Sequence, residues 1–332
     1  MVNDLDNSAT DNHERFAFAM LFGENGVETI PWMDANKHEG SHSFSWVHLN
    51  ILDAQAVNWL EEGAGIPYPA QRAMVAAETR PRVAYFENGL FVNLRDVNPD
   101  TNKDPEDMVS IRIWLEKNCL LTAQRQRIDA VQDIRAEITN GATTPNLGMI
   151  VARLAMSATH RMEPFVGEIT DAIDEIENQL LVQPDRKCRG PLSEARHSAV
   201  LFRRYIAPQR DALTRLAADE HDFFCIKTNI ELRETADAVT RLTEEIDAAR
   251  ERAAVLQDQI NDFRSEKLNR NMLVLSVIAA IFLPLGFLTS LLGVNLGGIP
   301  GVETPIAFWI LVGVCIMITA LLIYLFKRMG WL

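Results

Sequence analysis

The chain has 332 residues and a formal net charge of -13 at pH 7, and its soluble-looking part, residues 1 to about 270, has room for one large domain or two smaller ones. That acidity argues against nucleic acid as a partner and permits attraction of cations. The four cysteines, Cys119, Cys188, Cys225 and Cys315, form no C-x-x-C pair and read as reduced thiols, not a disulfide framework.

The N-terminal stretch, with Asp4, Asp6, Asp11 and Glu14, has no basic start and no apolar run. No signal peptide is read there, so the soluble part is expected in the cytosol. Residues 1–145 then mix strand and helix signals. Phe16 to Phe22 and Phe44 to Ile51 are apolar runs of strand length, and Asp53 is placed to cap a helix through Leu60. Arg82 to Phe86 and Leu90 to Leu94 flank Glu87-Asn88-Gly89, a hairpin signal. Val109 to Leu115 and Cys119 to Ala123 predict two further strands, and Ile128 to Ile138 a helix. Together these predict an α/β domain with a mostly antiparallel or mixed sheet.

Beyond Pro145 the pattern is helical, and residues 146–270 are expected to form a stalk. One helix is predicted over Leu147 to Leu181, a turn at Pro184 and Gly190-Pro191, and a second helix over Leu192 to Ala218, with Pro208 as a point of bending. From about Asp222 no glycine or proline intervenes until Pro284. Leu232, Ala236, Val239, Leu242, Ile246, Ala249, Ala253, Leu256, Ile260 and Phe263 recur at steps of three and four, one apolar stripe on one helix. The economical reading is a single helix of about 70 residues, roughly 100 Å long, that becomes the first membrane span. It is either a lever that transmits motion to the membrane or a stiff spacer.

Residues 271–332 are the membrane region. Met272 to Leu292 and Ile306 to Phe326 carry no charge and are long enough to cross a hydrocarbon core of roughly 30 Å. Arg264, Lys267 and Arg270 precede the first span, Lys327 and Arg328 follow the second, and the intervening loop has only Glu303 as a charge. The positive-inside rule therefore places both termini in the cytosol and the loop outside.

Heptad steps along the first span pick out Asn269, Met272, Ser276, Ala279, Leu283, Gly286 and Ser290. A stripe of small and polar residues is either a helix-packing face or one wall of a narrow pore. In the cytosolic part His221, Asp222 and Cys225 lie close enough in sequence for His221 and Cys225 to share a helix face, as metal ligands or as ordinary surface residues. No P-loop, nucleophile triad or carboxylate pair supports an enzyme.

Gly293-Val294-Asn295, at the outer end of the first span, resembles the Gly-Met-Asn signature of the CorA superfamily of divalent-cation transporters, with valine in place of methionine. The longer string GVNLGGIPG, FLP at Phe282 to Pro284, FLT at Phe287 to Thr289 and RRYIAPQRD at Arg203 to Asp211 are similar to the zinc-transport branch, the ZntB proteins. The resemblance runs from about Phe44 to the C-terminus. It implies an α+β membrane protein: a funnel-shaped homopentamer with a cytosolic α/β/α domain, a long helical stalk and two C-terminal transmembrane helices. Gly293, Val294 and Asn295 would form the pore mouth. Asn269, Met272, Ser276, Leu283, Gly286 and Ser290 would line the pore, and Glu303 would attract cations outside. Elementary geometry also asks for an oligomer, because one asparagine cannot encircle an ion and two spans cannot enclose a pore.

The function this implies is zinc uptake across the bacterial inner membrane, with proton symport carried by the resemblance alone. The cargo is Zn2+ or another divalent cation, and no cofactor is expected. The partners are further copies of the chain, the lipid bilayer, metal ions and protons. A magnesium, cobalt or nickel channel of the CorA type is the alternative within transport, because Asn295 oxygens suit a hydrated magnesium ion equally. A membrane-anchored sensor or scaffold is the alternative of another class.

Overall fold

The computed structural model describes residues 17–23, 26–38, 44–77, 79–100, 102–141, 146–182, 188–218, 223–294 and 304–330. The chain forms two compact units, Met1–Leu256 and Gln257–Leu332.

Among the described residues the first unit is built on a sheet of seven strands: β1 (Phe18–Gly23), β2 (Gly26–Ile30), β3 (Phe44–Asn50), β4 (Arg82–Tyr85), β5 (Gly89–Asp96), β6 (Val109–Glu116) and β7 (Cys119–Gln124). Their order across the sheet is β2-β1-β3-β7-β6-β5-β4. Only β3 and β7 run parallel, with Ser45 opposite Cys119 and Asn50 opposite Gln124, and every other pair is antiparallel. The mixed sheet expected from the sequence is therefore present. β2 was not expected. Its residues, GVETI, are mostly exposed at the sheet edge, so it lacks the apolar alternation of a half-buried strand.

Each strand sends alternate side chains to opposite faces, and both faces are covered. On one face Ala19, Val47, Leu49, Phe91, Trp114, Leu121 and Ala123 pack in a common cluster with residues of α1 (Ala54–Glu62) and α2 (Tyr68–Val75). Asp53 caps α1 as expected, its carboxylate accepting from the Gln55 amide at 2.8 Å. The opposite face buries Met20, Trp46, Val92, Leu94, Ile111, Ile113 and Leu120. On its side stand α3 (Asp129–Thr139), α4 (Leu147–Val182) and α5 (Arg189–Ala217). A buried Gln209 of α5 clamps this layer to β5: its amide oxygen accepts from the Arg95 N–H at 2.7 Å, and its NH2 donates to the Arg95 carbonyl at 3.2 Å.

The turn expected at Gly190-Pro191 is instead the start of α5. Proline is accommodated there because the first helical N–H groups have no intrahelical partner; Pro184 lies outside the described residues. In the β4–β5 hairpin the turn residues are Glu87 and Asn88, and the Phe86 N–H donates to the Gly89 carbonyl at 2.9 Å. Gly89 is needed for room: a Cβ there would stand 2.6 Å from Trp114 Cζ2.

α6 (Ile226–Leu292) and α7 (Ile306–Arg328) complete the chain. Within the first unit the expected stripe of α6 is buried from Leu232 to Leu256. Arg203 of α5 is ion-paired with Asp247 of α6, and Arg252 of α6 with Asp174 of α4. Both pairs are substantially exposed, so they contribute little beyond fixing alignment. Beyond Leu256 the stripe is no longer covered, and Phe263 is 43% exposed.

His48 lies at the centre of β3, fully buried, with Nδ1 2.7 Å from Thr122 Oγ1. Burial lowers its pKa to about 3, so it folds as the neutral ring. Its folded pKa is depressed below 6.5, so its stabilising contribution is complete above pH 6.5 and is lost as pH falls towards 3, by about 1.4 kcal/mol per pH unit. Buried Asp96 acts in the opposite sense. Desolvation raises its carboxyl to about 6, so its cost is present above that pH and is relieved as pH falls towards 3.8. His48→Gln isolates the first effect because Asp96 is common to both proteins. Denaturation midpoints at pH 7.5 and pH 5.0, read by tryptophan fluorescence in detergent, are expected to fall less in His48→Gln than in the wild type, by about 2 kcal/mol. Equal slopes would contradict a neutral buried imidazole.

Candidate functional site

The second unit holds the membrane-type segments. α6 and α7 are each long and apolar enough to cross a bilayer. No Asp, Glu, Lys, Arg or His occurs from Met272 to Leu292, so this part of α6 offers a cation no titratable ligand.

Burial divides the first span into distinct faces. Val277 is 6% exposed, and Leu273, Ile281, Pro284, Leu285 and Leu288 on the same side are half-buried. The other described helix of this unit is α7, whose one buried residue is Phe326. Asn269, Met272, Ser276, Ala279, Leu283, Gly286 and Ser290 are all exposed in the single chain. At 3.6 residues per turn their stripe points about 140° away from the covered face. It is therefore a different surface from the one that α6 covers within its own chain. Bulky Ile278 and Phe282 occupy a third, exposed side.

The helix end is tied off just before the motif. The Gly293 N–H donates to the Thr289 carbonyl at 2.9 Å and to the Ser290 carbonyl at 3.2 Å. A Cβ at Gly293 would stand 2.9 Å from that same Thr289 oxygen, so glycine is what lets the chain close this turn. Thr289 Oγ1 in turn donates to the carbonyls of Leu285, at 3.0 Å, and Gly286, at 3.1 Å. Pro284 leaves the Ala280 carbonyl without its ordinary helical donor, one turn before these contacts. Val294 is exposed. Asn295 and Glu303 lie outside the described residues.

Of the trio His221, Asp222 and Cys225, the first two also lie outside them. Cys225 is exposed just before α6. Its thiol is lowered to about 7, first by the hydrogen bond with Thr228, 3.2 Å away, with Asn146 Nδ2 donating to the sulfur at 3.6 Å. Among the described residues no group of three His, Cys, Asp or Glu side chains is placed to hold a metal ion. The covered stripe of the first span is apolar throughout and recurs at steps of three and four, a signal that the other apolar residues of the span mask in the sequence.

A sequence model described as CorA-like Mg2+ transporter protein matches residues 41–328. The chain belongs to this CorA-like family. Relatives of this CorA-like chain include proteins named zinc transport protein ZntB. That of Cronobacter sakazakii is 30% identical over 94% of both chains, and that of Pectobacterium carotovorum is 29% identical over the same share. Among solved structures, the full-length CmaX protein is 29% identical, with a TM-score of 0.78 over 95% of this chain and 97% of that one. The CorA magnesium transporter of Methanocaldococcus jannaschii has the same fold, with a TM-score of 0.79 over 96% of this chain and 99% of that one at 19% identity.

Proposed function

We propose that the chain imports divalent metal ions, zinc foremost, across the inner membrane through the axial pore of a funnel-shaped homopentamer, with both termini of each chain in the cytosol. The observation that carries this reading is the exposed, uncharged stripe of the first span ending at Gly293-Val294-Asn295, in a chain whose relatives are named zinc transport proteins. Asn269, Met272, Ser276, Leu283, Gly286 and Ser290 face the axis, and Asn295 side-chain oxygens gather at the mouth. Each accepts a hydrogen bond from the water shell of an incoming ion. Tight zinc sites use nitrogen or sulfur ligands, usually four, so this mouth holds its cargo weakly and releases it onward. Glu303, repeated around the ring, raises the local cation concentration. Leu283 and Met272 form apolar constrictions.

Neither span carries Asp, Glu or His, so proton coupling would act at Glu303, in the cytosolic part, or in water and ion chemistry. A magnesium channel is the second reading, favoured by the description of the matching family and by a mouth without zinc-selective ligands. Uptake of zinc and of magnesium into proteoliposomes, each with and without an inward acid gradient, separates them. The zinc reading expects saturable zinc uptake that rises with the gradient. Magnesium uptake indifferent to pH would move the assignment to the channel, and no flux of either ion would leave a membrane-anchored sensor or scaffold.

A further inference from the structure

We propose that the cavity at one end of the cytosolic sheet is a binding site for a multiply charged oxyanion of the phosphate class, held by Arg112 and Arg125. The cavity has a volume of about 320 Å³ and is lined by Arg95, Lys103, Ser110, Arg112, Arg125 and Tyr205, among others. A neighbouring cavity of about 620 Å³ shares Asn98, Lys103, Arg125 and Gln126 with it and extends to Asn50 and Gln124. Asn50 and Gln124 end the parallel strands β3 and β7, and Asp96 ends β5 on the same side of the sheet. The carboxyl ends of strands are where α/β sheets commonly receive ligands, and both volumes are in the range of small-molecule sites.

Arg112 is the unusual residue. It sits in the middle of β6, opposite Asn93 of β5 and Ala123 of β7, in a strand that is otherwise largely apolar. It is 1% exposed. Nη2 donates to the Ala76 carbonyl at 2.9 Å, whereas Nε and Nη1 are buried with no hydrogen-bond partner among the described residues. Among the described residues no carboxylate is ion-paired with it. Burial first, then the charges of Arg125 and Arg95, lower its pKa to about 10, which leaves it cationic in the cytosol. Nε of Arg125 is also buried without a partner among the described residues.

Unsatisfied buried donors on a charged group are expensive, and a packed sheet keeps such a group only where something completes it. The guanidinium fork presents donors that match an oxyanion in bidentate fashion. Two such groups repelling one another, with Lys103 exposed at the rim, call for a ligand of more than one negative charge. Glu106 and Asp107 also line the cavity, so it is not indiscriminately basic, and a small monovalent anion would leave the donors only partly satisfied. The adjoining cavity has room for an organic remainder, so the phosphate is either free or an ester.

The test uses the full chain in detergent, in metal-free buffer, with thermal unfolding and calorimetric titration as readouts. Inorganic phosphate and, separately, glycerol 3-phosphate are compared with chloride at matched ionic strength. Phosphate is expected to raise the unfolding temperature saturably where chloride does not. Arg125→Gln, at a half-buried position where refolding is not at risk from a sheet-centre change, is expected to weaken binding at least about tenfold. Tighter binding of glycerol 3-phosphate assigns the site to an ester, and equal or weaker binding assigns it to free phosphate. Stabilisation no greater than that by chloride, or unchanged affinity in Arg125→Gln, would overturn the proposal.

Discussion

Asn295→Ala is expected to cut zinc uptake at least about tenfold while leaving folding and membrane insertion intact. Gly293 closes the first span by hydrogen bonds to Thr289 and Ser290 that involve no atom of residue 295, so the helix end survives the change. What is lost is one side-chain acceptor per copy. In a ring this loss is repeated in every copy at the same height, and a hydrated cation then meets methyl groups where it needs oxygens. Initial rates in proteoliposomes, at matched protein content and orientation, measure the effect. Unchanged uptake would remove Asn295 from the pathway, and loss of uptake together with loss of the folded assembly would assign it a structural part instead.

Gly286→Leu is expected to be nearly as damaging, for a different reason. A Cβ at Gly286 meets nothing within 4 Å inside its own chain, and leucine is a better helix former than glycine by close to 1 kcal/mol. A single chain therefore tolerates or welcomes the substitution. On a face that surrounds a narrow axis the side chain would project into the path from every copy at once. The combination expected is a thermal stability equal to or above that of the wild type, with zinc uptake reduced at least about tenfold. Phe282→Ala, on the bulky exposed side, is the control and should leave uptake within about twofold. Loss of uptake in the control but not in Gly286→Leu would put the pathway on another face.

Much of this architecture is legible in the residues. The stripe from Leu232 to Leu256 is announced by apolar periodicity, because burial of one face is what places it, whereas the spans and most strands from Phe44 to Gln124 are announced by apolar runs of the right length. Where burial is not the organising force, legibility fails. β2 is a mostly exposed edge strand paired with β1, and α2 is a short helix that follows Pro67 with Pro69 in its first turn, so neither carries a long apolar pattern. Gly190-Pro191 reads as a break yet opens α5, since a helix start tolerates proline. Arg112 is visible as a lone cation in the run VSIRIWL, but only the sheet shows that it is buried beside Arg125 and opens onto a cavity. The first span is the reverse case. Its stripe is plain in the heptad steps, and its meaning depends on neighbouring copies, which no single chain supplies.

The central claim is that metal ions pass along the exposed small-residue face of the first span. Initial zinc uptake into proteoliposomes by the wild type and Gly286→Leu, side by side at equal insertion and equal thermal stability, tests it most directly. Saturable uptake by the wild type that is nearly absent in Gly286→Leu is the result expected. Equal uptake by both, or none by either, would contradict a pore along this face.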